Sequence, residues 1–169
     1  MISLKIPNNG ELRLEFDGKV QRFSMCKFVY INDRFQTQCY EDYLYVFVEN
    51  MLGRLKKLPQ IEESHLFGVL GKWQESYYFK DSYIKKHLAE IEIMEKAIFV
   101  STESFGTFLY EFDNEVWIEI NKGYDERKDL TPMKYYSNTS NYRILLAPLS
   151  NDVLSGWRVK LEDIKKQYV

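Results

Sequence analysis

The chain predicts an α+β fold: a mostly antiparallel sheet carrying one long amphipathic helix at about 40–58 and a second at about 82–97. Three observations lead there. Short runs alternate apolar and charged residues between turn signals, the period of half-buried strands. Residues 40–58 switch to helical period. The 169 residues contain no internal repeat, low-complexity tract or Pro/Gly/Ser-rich linker, so 1–169 reads as one domain.

The opening supplies strands. In Glu11-Leu12-Arg13-Leu14-Glu15-Phe16 every second residue is apolar. Asp17-Gly18 is a turn signal because glycine accepts the positive φ of a tight hairpin. Residues 19–31 give the return strand, ending in Phe28-Val29-Tyr30-Ile31 before the breaker Asn32-Asp33. Tyr43, Leu44, Phe47, Val48, Met51, Leu52, Leu55 and Leu58 then mark a broad apolar helical stripe. Glu41 and Asp42 at its start and Lys56 and Lys57 at its end complement the helix dipole, and Pro59 stops it.

Residues 60–80 read as irregular, with a short strand or helical turn near Leu66–Leu70. The second helix starts from a cap at Asp81 or Ser82 and carries Ile84, Leu88 and Ile91 along one line. Phe105–Phe112 and Val116–Asn121 form a hairpin, and Tyr142–Leu149 another strand. The tail shows two periods. Val153, Trp157, Leu161, Ile164 and Tyr168 recur at helical spacing, whereas Trp157-Arg158-Val159-Lys160-Leu161 alternates. Gly156 costs a helix about 1 kcal/mol relative to alanine, which favours a strand near 156–161 and a short helix from Asp163.

Charge is unevenly spread. The total is −2, but residues 87–126 hold ten carboxylates against Lys96 and Lys122, a net of −8. Aromatic residues are abundant, with 13 Tyr, 11 Phe and 3 Trp, and Tyr and Trp suit both cores and wet interfaces. Within the acidic segment, a three-residue loop Asp113-Asn114-Glu115 pairs Phe112 with Val116 and Tyr110 with Ile118. The opposite face then shows Trp117 flanked by Glu111 and Glu119, with Asp113 and Glu115 at the tip. That set, Glu111, Asp113, Glu115, Trp117 and Glu119, is the candidate partner-binding site, an aromatic anchor among acids that pair with Arg or Lys. A two-residue turn at Asp113-Asn114 instead sets Trp117 beside Tyr110, inside the fold.

Catalytic signatures are sparse. The two histidines, His65 and His87, accompany no G-x-S-x-G motif, and neither cysteine has a recognised nucleophile motif. Gly68-Val69-Leu70-Gly71-Lys72 fails the phosphate-loop spacing, and Trp73 stands where a magnesium-holding Ser/Thr belongs. Cys26 and Cys39, and likewise the histidines, are too far apart in sequence for paired zinc ligands. The expectation is a non-enzymatic protein with no catalytic residues, metal or cofactor.

Cys26 and Cys39 read as buried thiols of a reducing compartment, with one disulfide as the alternative. Met1–Pro7 lacks a basic stretch leading into an apolar run, and no segment approaches about 18 apolar residues, so a cytoplasmic protein without membrane contact is expected. Direct nucleic-acid binding is disfavoured, because Arg54-Leu55-Lys56-Lys57 and the sparse basic tail do not build a concentrated patch. An acidic chain can instead mimic nucleic acid towards a protein that binds it.

The stretch Phe105-Gly106-Thr107-Phe108-Leu109-Tyr110-Glu111-Phe112-Asp113-Asn114-Glu115-Val116-Trp117-Ile118-Glu119-Ile120, with the strand–strand–helix opening, resembles the small α+β immunity proteins that bacteria carry beside polymorphic or contact-dependent toxins. The resemblance implies an acidic, cytosolic, non-enzymatic inhibitor that occludes a toxin's working surface. It implies no role for any particular residue. The partner expected is a basic-surfaced protein, either a toxin or, for an inhibitor carried by a phage or mobile element, a host defence protein. An enzyme of unrecognised family and a subunit of a larger assembly are the alternatives from other classes. Oligomeric state is not encoded in these patterns.

Overall fold

The computed structural model describes residues 1–74, 80–102, 104–124 and 130–168. The fold is α+β, built on two four-stranded antiparallel sheets. The chain divides into two compact units, Met1–Leu58 with Ala147–Val169, and Pro59–Leu146. Glu103, Asp125 and Glu126 of the acidic segment lie outside the described residues. Among those described, no helix is long and apolar enough to cross a membrane.

In the first unit β1 (Ile2–Ile6), β2 (Gly10–Phe16), β3 (Met25–Ile31) and β4 (Gln36–Tyr43) pair in sequence order. Register puts Leu4, Leu12 and Tyr30 on one face with Leu14 and Phe28, and all five are buried. The other face carries a charge ladder. There Glu11 accepts from Ser3 and pairs with Lys5 at 3.0 Å and with Arg13 at 2.5 Å. These donors hold its carboxyl down at about 2.

Helix α1 (Leu44–Lys56) buries Leu44, Phe47, Val48, Met51 and Leu55. Each such side chain contributes about 1.5–3 kcal/mol when fully removed from water. The expected start near residue 40 is corrected: Tyr40–Tyr43 finish β4, and Glu41 and Asp42 belong to the strand rather than to the helix's first turn. Pairing outweighs the apolar stripe here, since Tyr40 lies opposite Phe28 and donates to Asp42 at 2.8 Å.

The expected Asp17-Gly18 hairpin turn is also longer than two residues. Gly18 does take a positive φ of 71°, but pairing resumes only at Phe16 opposite Cys26, leaving 17–24 as loop. The Ser24 carbonyl in that loop accepts from the Leu44 amide at 2.7 Å, which ties it to the start of α1.

The tail overturns the strand-plus-short-helix expectation. Asn151–Tyr168 is one continuous helix, the longest among the described residues, here called α7 because α2–α6 precede it in the chain. Leu154, Trp157, Leu161 and Ile164 fill its buried stripe, and that period prevails over the local alternation. Gly156 faces open space, so its cost is only its intrinsic one. The Trp157 indole donates to the Lys5 carbonyl at 3.1 Å and Lys160 to the Ser3 carbonyl at 2.7 Å. In this way α7 occupies backbone acceptors of edge strand β1, which unpaired would invite another chain.

In the second unit a 3₁₀ turn (Ser64–Leu66) and α2 (Gly71–Gln74) precede two helices, α3 (Asp81–Lys86) and α4 (Leu88–Ala97). The expected continuous helix at 82–97 is therefore broken at His87, whose ψ of 25° departs from the helical value. After it come β5 (Ile98–Ser101), β6 (Phe105–Phe112) and β7 (Glu115–Lys122), then α5 (Pro132–Tyr135), α6 (Thr139–Tyr142) and β8 (Arg143–Leu149). The sheet runs β5-β6-β7-β8, and the boundary between units falls inside β8. Phe108 and Tyr110 join Ile61, Leu66, Leu70, Trp73, Ile91 and Met94 in this unit's core.

Candidate functional site: the β6–β7 tip and its acidic groove

Asp113 and Asn114 both adopt positive φ, 50° and 62°, so β6 and β7 join through a two-residue turn. Such primed turns match the twist of the flanking strands, and Asp and Asn tolerate the left-handed region. Phe112 therefore pairs with Glu115 and Tyr110 with Trp117. The three-residue loop expected from sequence is corrected, and the one-residue slip moves every β7 side chain to the other face.

That slip separates the candidate residues. Asp113 and Glu115 are exposed at the tip and Glu111 is half-buried beside them. Trp117 is half-buried, its ring edge-on to Phe67 at 4.7 Å, while Phe67 stacks on Phe112 at 4.5 Å. It packs against the unit's own core, and Glu111, opposite Val116, now lies on the other face of the hairpin. Glu119 is wholly buried.

Glu119 sits in a polar knot beneath the Gly68–Gly71 loop. It accepts from the Tyr110 hydroxyl at 2.7 Å, from the Asn121 amide, and from the Gly71 amide at 3.4 Å. Burial pushes its carboxyl pKa up, while those three donors and the Arg143 guanidinium pull the other way. The same surroundings raise the Tyr110 hydroxyl, first through burial and then through Glu119. Arg143 is fixed on the Gly68 carbonyl at 2.9 Å, and the Gly68 amide donates to Tyr110 at 3.1 Å. The loop that superficially suggested a phosphate cradle thus spends its amides inside the fold. A Cβ on Gly71 would meet the Asn121 side chain at 2.4 Å, so glycine there is a packing requirement.

What the tip does offer is a groove of about 370 Å³, lined by Gln60, Ile61, Glu62, Ser64, Glu111, Phe112, Asp113 and Asn114. Residues 59–61 reach it by pairing with β6: Glu111 donates to the Pro59 carbonyl at 2.9 Å and accepts from the Ile61 amide at 2.8 Å. These two bonds tie residues 59–61 to β6. Among the described residues, three carboxylates and no cation line the groove, and Ile61 and Phe112 form its apolar part. Two of the sequence-nominated acids, Glu111 and Asp113, contribute directly. Glu62 was not foreseen, because only the long-range pairing of residues 59–61 brings it there.

The two histidines, 22 positions apart in sequence, meet at one carboxylate. His87 Nδ1 lies 3.4 Å and His65 Nε2 3.7 Å from Glu90 Oε1. The Glu90 carboxyl is held below its ordinary value, chiefly by a backbone hydrogen bond and then by His87. Trp73 and Tyr83 pack on the His87 ring at 4.9 and 4.3 Å. Among the described residues no group of three His, Cys, Asp or Glu is arranged to hold a metal ion.

Comparison with protein-family models, with curated proteins and with solved structures gives no significant match to any of them.

Proposed function

We propose that this protein acts by stoichiometric, non-enzymatic binding of a protein with a basic surface, which it grips through the acidic groove at the β6–β7 tip. The observation that carries the reading is the groove lining among the described residues: Glu62, Glu111 and Asp113 against no cation, beside apolar Ile61 and Phe112. A lysine or arginine of a partner gains three acceptors there, and its aliphatic stem covers the apolar wall. Strand pairing ties residues 59–61 to β6, which lowers the backbone ordering entropy that opposes binding. Trp117 serves as a prop behind Phe67 and Phe112 rather than as the anchor, and Glu119 holds the Gly68–Gly71 loop.

Within this class the reading is a cytoplasmic immunity protein that occludes the working surface of a cognate toxin. A phage- or mobile-element-borne inhibitor of a host defence protein would use the same groove chemistry. Affinity capture from the native lysate, with bound proteins identified by mass spectrometry, tests the class. One stoichiometric partner with a basic surface is the expected outcome, and its identity separates toxin from defence protein. Recovery of the chain with no protein partner contradicts the proposal.

A further inference from the structure

We propose that His65, Glu90 and His87 form a pH-sensitive latch on the groove wall, which holds residues 62–64 more firmly in mildly acidic than in mildly alkaline solution. The latch belongs to the second unit alone, and it rests on the groove reading only for its consequence, the positioning of Glu62. Gln60, Ile61, Glu62 and Ser64 line one side of the groove. That wall is tied to β6 at its start, through Pro59 and Ile61. At its end it runs into the 3₁₀ turn Ser64–Leu66, and His65 of that turn meets Glu90 of α4. A side-chain contact thus closes the end of the wall that strand pairing leaves open.

Both histidines approach one oxygen, Glu90 Oε1, His87 Nδ1 at 3.4 Å and His65 Nε2 at 3.7 Å. These separations are longer than a good N–H···O bond. His87 Nδ1 is buried and has no hydrogen-bond partner among the described residues. Protonation gives each ring a charged donor towards the carboxylate and draws the three groups together. The Glu90 carboxyl is held below its ordinary value, chiefly by a backbone hydrogen bond and then by His87, so it stays ionised where histidine gains charge. Other groups modulate the latch. Tyr83 of α3 and Trp73 of α2 pack on the His87 ring, and Lys72 lies over the Trp73 ring at 5.0 Å. Lys85 and Lys86, in the last turn of α3, oppose charge at His87, whereas Glu62 and Glu63 favour it at His65. The His65 side chain is 63% exposed, so the gain is a few-fold tightening and not a change of fold.

The test is amide hydrogen exchange of the full chain, read by NMR at about pH 5.5 and about pH 8, on either side of the histidine range. The Leu66 and Phe67 amides, which donate to the Glu63 and Ser64 carbonyls at 3.0 and 3.3 Å, report the turn directly. Their protection factors are corrected for the intrinsic pH dependence of exchange and referred to Leu109 and Ile118 in β6 and β7, which removes any change in global stability. The latch predicts protection about two- to five-fold greater at the lower pH, the range of weak surface ion pairs. Glu90→Gln, which keeps the shape without the charge, should abolish the gain. His65→Gln, at an exposed site, should abolish it too. Equal protection at both pH values, a gain that survives Glu90→Gln, or one that survives His65→Gln would each overturn the latch. No partner takes part in this measurement, so its failure is distinct from failure to capture a basic protein.

Discussion

Glu119 concentrates the residue-scale argument. A wholly buried carboxylate is costly unless its lone pairs are occupied, and here Tyr110, Asn121 and Gly71 supply the donors. Its carboxyl titrates above the ordinary 4.5, with burial as the largest cause. The folded state therefore holds this proton more tightly than the unfolded chain does. The stability that follows is fully present below the unfolded value and is lost as pH rises through the folded one. Urea unfolding at pH values raised upward from the ordinary 4.5 should show that decline, and Glu119→Gln, which keeps the shape and cannot ionise, should flatten it. Glu119→Ala strands the Tyr110 and Asn121 donors and should cost about 2–4 kcal/mol. Little of this was legible in sequence. Glu119 is one acid in an acidic run, and only register tells a buried carboxylate from a solvated one. Register in turn hinged on whether the loop held two residues or three, and Asp113-Asn114 are both residues that accept the left-handed region of a two-residue turn.

At the scale of elements, sequence patterns succeeded where one interaction dominated and failed where two competed. The apolar stripe of α1 and the alternation of β2 each meet a single core, and both elements are found. Tyr40–Tyr43 fit either the start of a helix or the end of a strand, and the vacant partner position beside β3 decided for the strand. Neither β4 over its length nor the short β5 was anticipated, because edge strands are specified by their neighbours more than by their own residues. In α7 the alternating Trp157–Leu161 run and Gly156 pointed away from helix, yet the four-residue buried stripe prevailed. Since a Cβ on Gly156 or on Gly53 of α1 meets nothing within 4 Å, Gly156→Ala and Gly53→Ala should each stabilise the protein by about 0.5–1 kcal/mol. Thermal or urea midpoints check this, and a loss of stability in either would mean that the glycine serves a purpose other than space.

Across the whole molecule, composition shows how unevenly charge runs along the chain and not where the fold places it. The near-neutral total of −2 conceals a −8 segment, an imbalance from which a basic partner is expected. The two units nonetheless distribute the acids in ways no linear tally shows. Glu119 goes to the core, and Glu111 and Asp113 join Glu62 in a groove. In the first unit Glu11 is drawn into its own ladder of Ser3, Lys5 and Arg13. Only carboxylates left without an internal cation can steer a partner, and steering of that kind weakens as salt screens it.

The most direct test of the binding account compares two forms of the protein against the captured partner, measuring equilibrium affinity and melting temperature together. The variant is Glu62→Gln/Asp113→Asn, which removes two groove charges. Asparagine at 113 still accepts the positive φ of the turn, so the fold is kept. The account predicts binding weaker by about ten-fold or more, with association that no longer responds strongly to salt, at an unchanged melting temperature. Undiminished affinity in the variant would contradict it and place the partner elsewhere on the surface.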